Sequence, residues 1–205
     1  MTKSAFLSAA DAANNVSDPN EIRQRKFKLS GLAGYPAIAT VNPLSGKHDM
    51  QLICDPEDPE FKRFARTVAD LNFVTFGTRE KKPGHHWPIF SGDELKADGS
   101  GPRFKHPAFK GKMVVRLKSN PERQPRVFGQ DATPVDPSEL NGGDLVYVEA
   151  GIFSYQNQAS GVSAGMSAIQ IVRKAALTER IEAGGTAGAS FKPIELADLP
   201  FSGGE

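Results

Sequence analysis

Leu145-Val146-Tyr147-Val148-Glu149-Ala150-Gly151-Ile152-Phe153-Ser154-Tyr155 and, further on, Met166-Ser167-Ala168-Ile169-Gln170-Ile171-Val172-Arg173 are two apolar, partly β-branched runs. Such residues suit a pleated, half-buried surface. The polar, glycine-containing stretch 156–165 between them reads as the loop of a hairpin. Further upstream, residues 112–118 alternate, with Met113, Val115 and Leu117 on one face and Lys112, Val114, Arg116 and Lys118 on the other. Period-2 alternation marks a strand with one face turned to a core, and here the other face is basic. Arg25, Phe27 and Leu29 alternate in the same way with Lys26, Lys28 and Ser30, which places a strand over 25–32. Further strands are expected over 35–41 and 50–54, separated by the turn Asn42-Pro43-Leu44-Ser45-Gly46.

One helix interrupts this pattern. Asp55-Pro56-Glu57-Asp58-Pro59-Glu60 carries proline and acids where a helix start favours them. Phe61, Phe64, Ala65, Val68 and Leu71 follow at spacings of three and four. Residues 77–111 are rich in Gly, Pro, Lys and His and read as long loops around a short strand near 87–90. A proline-rich connection spans 120–137. Several short strands, one helix and large loops give an all-β barrel. Residues 1–22 read as an N-terminal extension, either a short helix or a disordered segment. Residues 23–178 form one domain. Residues 179–205, Gly-, Ala- and Ser-rich from Ala183, read as a flexible, acidic-biased tail.

Composition narrows the function. Hydrophobic residues make up 39% and charged ones 24% of the 205 residues, the balance of a globular protein. No apolar run reaches the roughly 18 to 20 residues of a membrane span, and residues 1–13 lack the basic start and long apolar stretch of a secretion signal. The expectation is a cytoplasmic protein with no membrane partner, in the host cytoplasm if phage-encoded. The lone Cys54 sits in an apolar run and reads as a buried thiol. The net charge of +1 conceals an uneven distribution: residues 61–130 hold 15 basic and 6 acidic side chains. The same third contains nine of the seventeen aromatic residues. Cations for phosphates, interleaved with flat rings for unpaired bases, are what a single-stranded nucleic acid site needs.

Enzymatic signals fail on inspection. Gly161-Val162-Ser163-Ala164-Gly165 matches a nucleophile elbow, but that chemistry needs an acid and a histidine after the serine, and the last histidine is His106. A tight loop between strands is the expectation there. Asp55, Asp58, Glu60 and Lys62 crowd a helix start instead of spreading over adjacent strands around a metal. His85-His86 and His106 have no second pair of ligands at zinc spacing, and there is no phosphate-binding glycine loop. The chain reads as a non-enzyme without cofactor or metal.

The run Gly142-Gly143-Asp144-Leu145-Val146-Tyr147-Val148, then Phe153-Ser154-Tyr155-Gln156-Asn157, then Gly161-Val162-Ser163 leading into Ala168-Ile169-Gln170-Ile171-Val172-Arg173, resembles a family of phage proteins first catalogued as a domain of unknown function. That resemblance covers most of residues 23–178. It implies an OB-fold barrel that binds single-stranded DNA without sequence preference and coats unwound DNA in replication or recombination, with homo-oligomers forming on the DNA. On this reading phosphates meet the basic face of Lys112, Arg116 and Lys118, with Lys81, Lys82, Arg103, Lys105 and Lys110 closing over it from the loops. Trp87, Phe104 and Tyr155 are the stacking rings. The tail segment Asp198-Leu199-Pro200-Phe201 is similar to the acidic, Pro-Phe-ending tip with which bacterial single-stranded DNA-binding proteins recruit partners, although Ser202 to Glu205 follow it here. Replication or recombination proteins are the partners this implies. The alternatives are an OB-type RNA or duplex-DNA binder and a protein-interaction module.

Overall fold

A computed structural model describes residues 18–156 and 159–181. Its first element is a short helix, α1 (Pro19–Gln24), started by Asp18, whose carboxylate accepts from the Asn20 N–H at 2.9 Å. The helix buries Ile22 and packs on the second helix and on a late strand. Part of the expected N-terminal extension therefore belongs to the core.

Strand β1 (Lys26–Asn42) is continuous where two strands were expected. It pairs with β2 (Lys47–Cys54), and its register shifts between Gly34 and Ala37. At this bulge Tyr35 adopts φ 47°, a left-handed conformation uncommon for any residue but glycine. A bulge bends a strand without ending its pairing, so the break visible in the sequence is a kink. Helix α2 (Pro59–Phe76) starts as expected: the Asp58 carboxylate accepts from the Phe61 N–H at 2.8 Å, and Gly77 closes the helix at φ 76°. The alternation over 112–118 is realised in β4 (Met113–Ser119), preceded by the short β3 (Ile89–Ser91) that pairs with it.

The proline-rich connection holds two further short strands, β5 (Arg126–Phe128) and β6 (Pro134–Val135). Strands β7 (Leu145–Gln156) and β8 (Ser160–Arg173) make the expected hairpin, but its tip is shorter than expected. Gly161 to Gly165 lie within β8, which replaces the expected tight loop. A Cβ on Gly161 would fall 2.3 Å from the His86 carbonyl oxygen, and Gly161 adopts φ 143°. The glycine is there so that the chain at His86 can cross: the His86 N–H donates to the Ser160 carbonyl at 2.9 Å, and the Val162 N–H to the His86 carbonyl at 3.1 Å.

The sheet runs β3-β4-β2-β1-β7-β8-β5-β6, and a parallel contact between β4 and β8 joins Leu117 to Ala164 and Lys118 to Gly165. That contact closes β1, β2, β4, β8 and β7 into a five-stranded barrel of OB type. Phe27 and Leu29 of β1, Met50 and Leu52 of β2, Val115 and Leu117 of β4, Val146 and Val148 of β7, and Ile169 of β8 fill it. Each such side chain contributes about 1.5 to 3 kcal/mol by leaving water. Helix α2 lies against β1, β7 and β8, with the Phe64 ring edge-on to Phe27 at 5.2 Å. Cys54 is buried, and burial, then the charge of Asp58, pushes its thiol up to about 12. Among the described residues no helix is long and apolar enough to cross a membrane.

A second apolar cluster lies outside the barrel. Val114 points away from the main core and is buried with Ile53, Phe104, Phe109 and Ile181. The outer face of β4 therefore buries Val114 at one end and is basic at the other, where the sequence suggested a basic face that includes Val114. The loop before β4 covers the apolar end, and its hold on the sheet is close: the Gly92 N–H donates to the Lys112 carbonyl at 2.8 Å, and a Cβ on Gly92 would meet the Phe109 carbonyl oxygen at 1.8 Å. Ile181 donates its N–H to the Gly142 carbonyl at 3.1 Å, so the packed chain continues past Thr178 into the expected tail.

Candidate nucleic-acid interface

The basic end of the outer face is built by antiparallel register. β2 and β4 place Gln51 opposite Arg116 and Asp49 opposite Lys118. Because all four residues alternate with core residues, they share the solvent side. Burial, then the neighbouring charge of Arg103, lowers the Arg116 pKa. Burial, then Arg116 itself, lowers that of Lys118. Among the described residues neither makes an ion pair. The nearest acid in register, Asp49, is taken up by the turn after β1: it accepts from Asn42 Nδ2 at 3.0 Å and from Ser45 Oγ at 2.7 Å. Two half-buried cations thus repel each other, offset in part by the charge of Asp49 on both and of Glu94 on Arg116, and an incoming anion relieves both.

Three of the expected site cations gather around one ring. Arg103, Lys81 and Arg116 lie 4.1, 5.4 and 5.4 Å from the centre of Phe90. Arg103 is also held by Glu94 at 2.9 Å. The remaining lysines lie apart from this group. Lys82 donates to the Phe76 carbonyl at 2.8 Å, Lys112 pairs with Asp55 at 3.2 Å, and Lys105 and Lys110 are exposed on the loop before β4.

The expected stacking rings have three different placements. Phe104 is buried, parallel to Phe109 at 4.8 Å, in the cluster outside the barrel. Trp87 is half-buried against the main core. Tyr155 sits at the β7–β8 tip, with its ring 5.7 Å from His86 and 6.2 Å from Phe153. The other histidines are engaged as well: His85 lies edge-on to Phe76, and His106 Nδ1 accepts from the Ala108 N–H at 3.2 Å.

The structure adds residues that the sequence reading passed over. Tyr35 caps the buried stack, its ring 5.8 Å from Phe109 and 15° from parallel, and it also lines a recess with Asp49, Gln51, Arg116 and Lys118. Its signal was the Gly34-Tyr35-Pro36 triplet inside a strand, which marks a bulge where a side chain is re-aimed. Phe90 was legible as the neighbour of the core residue Ile89 on a strand. Phe153 is 44% exposed and lies on the outer face, where a Cβ on Gly165 would come within 3.8 Å of its ring. Gly165 is the register partner of Lys118. From Tyr35 the outer surface therefore continues over Arg116 and Lys118, across Gly165, to Phe153 and Tyr155.

No protein-family model and no curated protein sequence matches this chain. Solved structures do. The single-stranded DNA-binding protein of bacteriophage Enc34 aligns over 73% of this chain and 80% of its own at 16% identity, with a TM-score of 0.57. The same protein in complex with single-stranded DNA aligns over 74% and 86% at 15% identity and a TM-score of 0.57. The gp2.5 protein of bacteriophage T7, also a single-stranded DNA-binding protein, aligns over 75% and 94% at 13% identity and a TM-score of 0.52. The chain has their fold. These neighbours are single-stranded DNA-binding proteins. The segment Asp198-Leu199-Pro200-Phe201 lies outside the described residues.

Proposed function

We propose that this chain binds single-stranded DNA across the outer face of β2 and β4, between the turn at 43–46 and the β7–β8 hairpin, and coats unwound DNA in phage replication or recombination. The observation that carries the proposal is the half-buried pair Arg116 and Lys118, unpaired among the described residues and flanked by the Tyr35 ring. This is the barrel face with which OB folds hold oligonucleotides. Phosphates displace counterions at these cations, while bases stack on Tyr35 at one end and on Phe153 and Tyr155 at the other. Stacking is worth roughly 1 to 3 kcal/mol per base and tolerates any sequence. Support also comes from the fold neighbours, which bind single-stranded DNA.

The test is fluorescence anisotropy of a labelled oligothymidine titrated at low and moderate salt, with duplex DNA and RNA as competitors. Tight, salt-sensitive binding that neither competitor displaces is the expected result. Displacement by RNA or duplex at equal concentration would reassign the ligand, and absence of any binding would leave a protein-interaction module as the reading.

A further inference from the structure

Two glycines of the barrel have no task in the fold. Among the described residues, every glycine but Gly151 and Gly165 either adopts a positive φ or would bring an added Cβ within 3.4 Å of another atom. At Gly151 a Cβ would meet only Lys26 Nζ, at 3.9 Å, and at Gly165 nothing nearer than the Lys118 carbonyl oxygen at 3.7 Å. Neither conformation nor packing calls for glycine there, and inside a strand a glycine is weaker than a β-branched residue. The two are register partners, Gly151 on β7 and Gly165 on β8. Their chain neighbours Ala150, Ile152, Ala164 and Met166 are buried in the barrel, so both glycines lie on its outside.

The surroundings indicate what the bare backbone leaves room for. Gly165 is also the partner of Lys118 on β4, and Gly151 that of Lys26 on β1. A row across the sheet thus reads Lys118, Gly165, Gly151, Lys26, and at roughly 4.8 Å per inter-strand step its two ends lie about 14 Å apart. Lys26 is exposed and, like Lys118, makes no ion pair among the described residues. The outward residues on either side of the row are its walls. Phe153 stands towards the hairpin tip, and on the other side is the Glu149 carboxylate, which accepts from Ser167 Oγ at 3.4 Å.

We propose that this row is a trough for the sugar–phosphate backbone, which leads the strand from Lys118 over Gly165 and Gly151 to Lys26, round the barrel and away from the β2–β4 face. The inference rests on the single-stranded DNA reading above and extends it, because that reading ends at the hairpin rings and the trough adds a phosphate contact on β1. Glycine is the residue that lets a ligand approach the backbone closely, and a larger side chain at either position would stand in the path. A floor without side chains between two ammonium groups favours a phosphate chain over a neutral extended peptide, which gains nothing from the cations. Glu149 repels a strand that strays to its side of the row.

The full-length chain is titrated with labelled oligothymidines of about 4 to 16 nucleotides, the span of site sizes for one OB fold. The shortest fill the β2–β4 face, and the longest reach the trough. In Gly151→Val the thermal midpoint holds, binding of the shortest strand is unchanged and binding of the longest falls severalfold. Lys26→Gln lowers the salt slope by about 0.7 on the longest strand and leaves it unchanged on the shortest. A Gly151→Val protein with the wild-type midpoint that binds every length as the wild type does overturns the trough and leaves the single-stranded DNA reading intact. A midpoint lowered by many degrees would assign the glycine to the bend of the barrel, and the Lys26→Gln slope then decides: unchanged on the longest strand, it overturns the trough as well. A wild-type protein that binds none of the oligomers removes both.

Discussion

Replacing both Arg116 and Lys118 by glutamine tests the interface through its response to salt. Among the described residues, Lys81, Arg116 and Lys118 are three cations of the Phe90 and Tyr35 region that make no ion pair, whereas Arg103 must first leave Glu94. Three phosphate contacts give a slope of about −2.1 in log affinity against log salt, so binding weakens about 20-fold between roughly 50 and 200 mM. With Lys81 alone of these three left, the slope falls by about 1.4, and the same change in salt costs about sevenfold less than it costs the wild type. The substitutions leave the fold intact, because both cations sit in surroundings that disfavour their charged forms, burial first and their cationic neighbours second. Anisotropy at four or five salt concentrations reads the slope, and the thermal midpoint reads the fold. A double variant with wild-type midpoint and wild-type slope would refute the argument, since the phosphates would then lie elsewhere on the molecule.

Other substitutions probe separate parts of the structure. Tyr35→Leu removes the ring at the end of the stack and lowers affinity for oligothymidine by about 1 to 3 kcal/mol, read by the same titration, with a much smaller effect on its salt slope. Asp144→Ala takes away a buried carboxylate that accepts from the Asn141 and Ala175 N–H groups at 2.9 and 2.7 Å; the two stranded donors cost about 1 to 3 kcal/mol each in urea unfolding. Gly161→Ala drives a methyl into the His86 carbonyl at 2.3 Å and lowers the thermal midpoint, whereas Gly151→Ala, whose Cβ meets only Lys26 Nζ at 3.9 Å, leaves it within a degree or two. Cys54, buried with its thiol pushed up to about 12, stays in the unreactive thiol form at pH 8 and is alkylated by iodoacetamide only as fast as the protein unfolds; rapid labelling of the native protein would show that β2 opens locally.

Much of this fold was written in simple periodicities. The alternation at 25–32 and 112–118 and the acids before Phe61 correspond to strands and a helix in the structure because burial of one face is a local, repeating demand. Interruptions of such patterns are harder to interpret. Gly34-Tyr35-Pro36 looks like the end of a strand, and only pairing with β2 reveals that the chain bulges and continues. Likewise β5 lies in a proline-rich connection without periodicity and exists because β8 offers it a parallel edge. The site divides along the same line. Arg116 and Lys118 follow from alternation, and their grouping with Arg103 and Lys81 around Phe90 depends on how the long loops pack. Phe104 and Val114 show the limit of composition: a phenylalanine in a basic loop and a valine on a basic strand face bury each other, which nothing in their own neighbourhoods encodes.

The contact between β4 and β8 spans only two register pairs, and Lys118 stands at one of them. It is a parallel pairing between segments separated by most of the second half of the domain, and such contacts form late because the chain between them must first be ordered. The path from Tyr35 to Phe153 crosses this seam. Before closure, the cations of β4 and the rings of β7 belong to two unconnected surfaces. A nascent or partly unfolded chain therefore has no continuous track to offer a strand. On the proposed binding mode, a strand laid across the finished track spans the seam and holds shut the joint on which the barrel depends.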